Sequence, residues 1–89
     1  MVSEKIFKDL LSSKARVKIL KVLALNEEIT ISLLIKKTRL NDATVTNHLN
    51  YLKEVDLVQE KKFGRIKIYR LKKEDFEVKV ALIFLKDIT

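Results

Sequence analysis

Four uncharged hydrogen-bonding residues, Thr44, Thr46, Asn47 and Asn50, crowd a segment, 42–54, whose apolar spacing predicts a helix. A step of about 100° per residue collects Val45, Leu49 and Leu52 on one side with His48 beside them. The same arithmetic turns Ala43, Thr46, Asn47 and Asn50 outward, with Thr44 and Tyr51 on the flank. Solvated helix faces usually carry Lys and Glu, whereas Thr and Asn are poor helix formers whose value lies in hydrogen bonding. Asn pairs with adenine edges in a major groove, and Thr offers a hydroxyl to either strand and a methyl to thymine. A second group follows: Lys61, Lys62, Arg65, Lys67, Arg70 and Lys72, opposed within 57–72 only by Glu60 and interleaved with Phe63 and Tyr69. Such a stretch suits a polyanion, although Lys-rich surfaces also serve solubility alone.

Other chemistries find little support. The chain has 89 residues and a formal net charge of +7, with no Cys and one His, which argues against disulfides, thiolate metal sites and imidazole clusters. His48, semi-buried by helical phase, reads as a structural residue packed beside Leu49 and Leu52. Ser12 or Ser13 with His48 lacks the Gly-rich elbow and third orienting group of a hydrolytic site. Glu74, Asp75 and Glu77 are splayed around a helix by adjacency and read as caps of its dipole. Neither enzyme activity nor a cofactor nor a small-molecule ligand is expected. No apolar run approaches the roughly 20 residues that span a bilayer, and the N-terminus is unlike a signal peptide, so the expected address is the cytoplasm, with no membrane partner.

The elements that position these residues follow from spacing and punctuation. Ile6, Phe7, Leu10 and Leu11 share one face of a short helix over 3–11. Ser12 or Ser13 then caps a second helix, about 14–25, with Ala15, Ile19, Leu20, Val22 and Leu23 apolar. Ile29, Thr30 and Ile31 suit a very short strand. A third helix, about Ser32 to Thr38, buries Leu34 and Ile35, and Asn41 caps the fourth, 42–54. Leu57 to Lys61 and Arg65 to Leu71 alternate as a hairpin with Phe63 and Gly64 at its tip. There Phe63 either reaches toward a sugar-phosphate backbone or covers the hairpin's own apolar face; Tyr51 is similarly open. The last helix, about 73–88, is apolar around most of its circumference. Phe76, Val80, Ile83 and Phe84 are the expected contacts with a second chain, beyond what packs on the N-terminal helix.

The stretch from Ser13 to Lys72 resembles the winged helix of the ArsR-type transcription regulators and their MarR-like relatives. The residues carrying the likeness are Arg16 to Leu23 (RVKILKVL), Ile31 to Leu40 (ISLLIKKTRL), Asn41 to Leu52 (NDATVTNHLNYL), Leu57-Val58 and the basic hairpin. The resemblance implies a mainly α fold with a small β-hairpin, a winged helix-turn-helix (α+β) over 1–72, followed by a C-terminal dimerisation helix over 73–89 packed on the N-terminal helix. It implies a sequence-specific regulator of double-stranded DNA, a repressor acting as a homodimer, with 42–54 in the major groove and the wing, 60–67, on flanking phosphate or minor groove. By position, Thr44, Thr46 and Asn47 match contacting residues, Asn50 and Tyr51 lie just beyond, and Arg65 and Lys67 are wing residues; Lys61 and Lys62 join them by charge. The family commonly has Gly where this chain has Arg39 and Asp56. A left-handed Arg39 costs on the order of 1 kcal/mol, so a slightly altered turn is expected there. The competing readings are an architectural protein coating DNA without sequence preference and a winged helix used for protein contact. Abundant Lys and Ile without Cys or Pro point, by composition alone, to a thermophilic or AT-rich archaeal source.

Overall fold

Three side-chain caps set where the helices begin. In the computed structural model, which describes residues 4–72 apart from the side chains of Ile6 and Phe7, α1 (Glu4–Leu11) is followed by α2 (Lys14–Leu25), whose cap Ser13 accepts from the Arg16 amide at 3.3 Å. Strand β1 (Ile29–Thr30) runs directly into α3 (Ile31–Thr38), where the Thr30 hydroxyl accepts from the Leu33 amide at 3.2 Å. Asn41 caps α4 (Asp42–Glu54) by accepting from the Thr44 amide at 2.8 Å. Each cap satisfies an amide that the first helical turn leaves unpaired. The expected triplet strand is therefore shorter than its β-branched run: Thr30 ends β1 and starts α3, and Ile31 is helical.

Helix α3 closes on a left-handed residue, as helices commonly do, but the residue is not Gly. Arg39 sits at φ 60° and ψ 25°, and its amide donates to the Ile35 carbonyl at 2.9 Å. Arg39 adopts the left-handed conformation itself, so the turn closes without Gly. Beneath it Thr38, the one buried polar residue among those described, donates its hydroxyl to the Leu34 carbonyl at 2.8 Å. Asp56, at φ 66°, plays the corresponding part after α4 and pairs with Lys72. Asp tolerates this conformation better than Arg, since its short side chain can bond locally.

The wing consists of β2 (Val58–Phe63) and β3 (Ile66–Leu71), and β1 pairs with the far edge of β3, giving the antiparallel order β1-β3-β2. Both strands depart from their expected bounds. Phe63 pairs with Ile66, so the turn residues are Gly64 and Arg65 rather than Phe63 and Gly64. Gly64 has φ 60° and Arg65 is not left-handed, the pattern of a II′ turn, whose first central residue is normally Gly.

The core lies where α2, α3 and α4 meet the sheet. Ile19, Leu20 and Leu23 of α2, Leu34 of α3, and Val45, Leu49 and Leu52 of α4 are almost completely buried, and Tyr69 and Leu71 close the sheet side. These are the apolar positions that helical spacing selects. The helix expected over 73–88, with Phe76, Val80, Ile83 and Phe84, lies outside the described residues.

Candidate nucleic-acid interface

Burying Val45, Leu49 and Leu52 fixes the rotation of α4 and leaves Asp42, Ala43, Asn47 and Asn50 exposed, with Thr44 and Thr46 half-buried beside them. Asn47 and Asn50 are three residues apart and therefore neighbours on one helix face. Neither side chain has an intrachain hydrogen bond among the described residues. Their amides are free to pair with groups outside the chain.

The flank of α4 is held by a network that runs through a residue of α2. The Arg16 guanidinium donates from Nε to His48 Nδ1 at 3.2 Å and from Nη1 to the Asp9 carbonyl at 2.7 Å. It also lies over the Tyr51 ring, 4.1 Å from the centroid, a favourable stacking for a planar cation. Tyr51 directs its hydroxyl to the Asp9 carboxylate, at 3.4 Å. Arg16 thus ties α1, α2 and α4 together. Because His48 Nδ1 accepts, Nε2 carries the proton of a neutral imidazole. Burial and then the Arg16 charge lower the pKa of His48 below its ordinary 6.5. Ser12 and Ser13 are bonded elsewhere, to the Asp9 carbonyl and the Arg16 amide, which leaves the hydrolytic pairing without geometry.

A pH dependence follows from this arrangement. A His whose folded pKa is depressed binds fewer protons folded than unfolded, so its stabilising contribution is present above 6.5 and is lost as pH falls through the folded value. Urea midpoints measured at about pH 7.5 and about pH 5 should show a drop in the wild type that His48→Gln largely removes, since Gln accepts from Arg16 without titrating. An equal drop in both proteins would clear His48 of this role.

The wing sorts its cations onto two faces. Partners in the register share a face and successive pairs alternate, so Val58–Leu71, Glu60–Tyr69 and Lys62–Lys67 point to one side, while Gln59–Arg70, Lys61–Ile68 and Phe63–Ile66 point to the other. The first face is the one that meets the core and α4. Glu60 anchors it: its carboxylate accepts from the Tyr69 hydroxyl at 2.5 Å and from Lys53, in the last turn of α4, at 3.3 Å. The Tyr69 hydrogen bond, helped by Lys53 and Lys62, holds the Glu60 pKa below its ordinary value against the opposing effect of burial. Burial and the Glu60 carboxylate push the Tyr69 phenol far up, so it remains a donor.

Beyond Glu60, Lys62 and Lys67 stand directly opposite each other, both exposed. Like charges in directly opposed positions destabilise a hairpin, and an anion placed against them removes that penalty. Lys62 has only a long approach to Glu60, at 4.0 Å, and Lys67 has no ion pair among the described residues. Lys61 faces the other way and pairs with Glu28 at 3.0 Å. Arg65 projects from the turn itself, exposed and without an ion pair among the described residues. Of the sequence-selected residues, the structure groups Thr44, Thr46, Asn47 and Asn50 on α4 and Lys62 and Lys67 on the α4 side of the wing. It places Arg65 at the tip, Lys61 on the far face and Tyr51 under Arg16.

Asp9, Arg16, Lys53 and Glu60 were not singled out by sequence. Each is one charge among many on an amphipathic surface, and only the tertiary fold brings them to α4. His48 and Tyr51, three residues apart on the same flank, were the available signal that something polar must face them.

A model of the family described as bacterial regulatory proteins of the arsR family matches residues 13–60, which takes in α2, β1, α3, α4 and the first half of β2. The chain belongs to the arsR family. This is a family of regulatory proteins, not of enzymes. Its winged helix-turn-helix fold is shared with HlyU from Vibrio cholerae N16961, which superposes with a TM-score of 0.80 at 24% identity over 92% of this chain and 86% of that one. The transcriptional repressor BigR from Xylella fastidiosa gives 0.79 at 20% identity over 90% and 79%. The winged helix-turn-helix DNA-binding domain of Mb0332 from Mycobacterium bovis, described as homodimeric and possibly an ArsR-family regulator, gives 0.71 at 25% over 90% and 71%. No curated protein matches the chain in sequence. Within the arsR-matched stretch lie both the Asn47–Asn50 face and the Arg16–His48–Tyr51 brace. Among the described residues, no helix is long and apolar enough to cross a membrane.

Proposed function

We propose that this arsR-family chain is a sequence-specific regulator of double-stranded DNA that acts as a homodimer in the cytoplasm and represses by occupying its site. One observation carries the reading: an uncharged amide face on α4 adjoins a wing whose Lys62–Lys67 pair is unfavourable until an anion meets it. Helix α4 lies in the major groove, where Asn47 and Asn50 read base edges and Thr44 and Thr46 support them at the margin. Tyr51 contributes through the brace that fixes the angle of α4. Asp42, exposed at the N-terminus of α4, opposes phosphate there, so backbone attraction falls to Lys62, Lys67 and Arg65, with Lys61 more distant.

Two chains would place two copies of α4 about one helical turn of DNA apart, and Phe76, Val80, Ile83 and Phe84 are the proposed contact between them. Residues 1–72 then form the reading unit and 73–89 the joining one. A duplex with two half-sites about 10 bp apart is expected to bind far more tightly than one with a single half-site; equal affinities would contradict the dimer.

The wing assignment has its own test. Replacing Arg65 with Ala should weaken binding to all sequences alike and flatten the slope of log K against log salt by about 0.9. An unchanged slope would remove Arg65 from the phosphate contacts.

A further inference from the structure

The wing tip carries a feature that phosphate binding does not use. Phe63 and Ile66 are 60% and 55% exposed, stand directly opposite each other as the last pair before the turn, and share the face turned away from α4. Two large apolar side chains exposed side by side at a hairpin turn form a contiguous apolar patch, the kind of surface that marks an interaction site. Arg65 adjoins them in the turn and Lys62 and Lys67 stand on the reverse face of the same tip, so the covering surface is apolar where it meets the pair and anionic beside it. The floor and sugar walls of a DNA groove, edged by phosphates, have that composition.

Resting on the DNA-binding reading above, we infer that Phe63 and Ile66 form an apolar wedge that opens the minor groove beside each half-site and bends the DNA. The geometry requires deformation. A hairpin with side chains on both faces is about 10 Å thick, whereas the minor groove of B-form DNA is about 6 Å wide. Entry of the tip therefore widens the groove, and apolar side chains pressed against the base steps are the groups that unstack them, kinking duplexes by roughly 20–90°. On one face of the ribbon Lys62 and Lys67 meet one phosphate wall, and on the other Phe63 and Ile66 meet sugar and base. The wedge adds specificity at positions α4 never touches, because pyrimidine–purine steps open most easily.

The test measures the end-to-end distance of a dye-labelled duplex, carrying a site selected from a random pool, by energy transfer with the full-length protein. Wild type should shorten that distance. Phe63→Ser/Ile66→Ser, exposed positions whose replacement should lower the melting temperature by only a few degrees, should return it to the free-duplex value. The same double variant should lose about tenfold in affinity for the intact duplex and recover on a duplex nicked at the wing position, where bending is already easy. Arg65→Ala should weaken binding without straightening the DNA. A wild type that binds the selected site and leaves it straight, or a double variant that bends it fully, would overturn the wedge while leaving the regulator reading intact. A wild type with no affinity for any duplex would overturn both. Binding to phosphatidylglycerol vesicles that the double variant loses, with DNA bending unaltered, would assign the pair to a lipid surface and overturn the wedge.

Discussion

Replacing Asn47 and Asn50 together with Ala should abolish most discrimination between a selected site and random duplex while leaving the protein at least as stable. Both residues are exposed on α4 and unbonded within the chain, and Asn is a poorer helix former than Ala by about 0.5 kcal/mol per position. The folded protein therefore gains slightly from the change. Each well-placed amide pair with an adenine is worth about 1–3 kcal/mol of discrimination, so the double variant should lose roughly 10²-fold or more in preference for its site. The opposite signs of the two effects are the diagnostic. A variant that lost stability and selectivity together would mean that these amides serve the fold.

The second large effect concerns the anchor beneath that face. Leu49 is 1% exposed, between α4 and the remainder of the core, and Leu49→Ala should destabilise by about 2–5 kcal/mol through lost burial and the cavity left behind. Against the 5–15 kcal/mol typical of small domains, that is a large share, visible as a lower urea midpoint with weakened DNA binding at moderate temperature. Leu25→Ala is the control: at 59% exposed it should change stability by no more than about 0.5 kcal/mol. Similar effects from the two would contradict the placement of the core on the inner side of α4.

What the residues disclosed without coordinates was what local rules govern. A cap at Ser12 or Ser13 and another at Asn41 follow because short polar side chains before an apolar stripe have few other uses; the structure selects Ser13, and the stripes name the buried Leu and Ile residues almost completely. Thr30 was missed because a β-branched residue between two isoleucines looks like strand, and its cap depends on where the chain turns. The hairpin turn moved by one residue because Phe63 suits a strand end and a turn tip equally; register, set by pairing with Ile66, decided it. Arg39 keeps a left-handed backbone at its own cost because the tight passage from α3 to α4 fixes that geometry whatever the side chain.

The site divided in the same way. The Thr and Asn face of α4 followed from periodicity, and the wing from charge. The split of the wing cations onto two faces did not, since it rests on register: one position of slippage in β2 would turn Lys61 and Phe63 to the α4 side in place of Lys62. The brace was least visible, because Arg16 and His48 are separated by 32 residues and meet only when α2 packs against α4. Glu60, a lone acid in a basic stretch, proves to be the link between α4 and the wing.

The most direct measurement is the affinity of the wild-type protein for a duplex selected from a random pool, set against a random duplex at the same salt concentration. An amide face free to read bases predicts a preference of about 10³ or more for the selected site. Equal affinities would contradict that prediction, leaving a protein that grips phosphates without reading sequence.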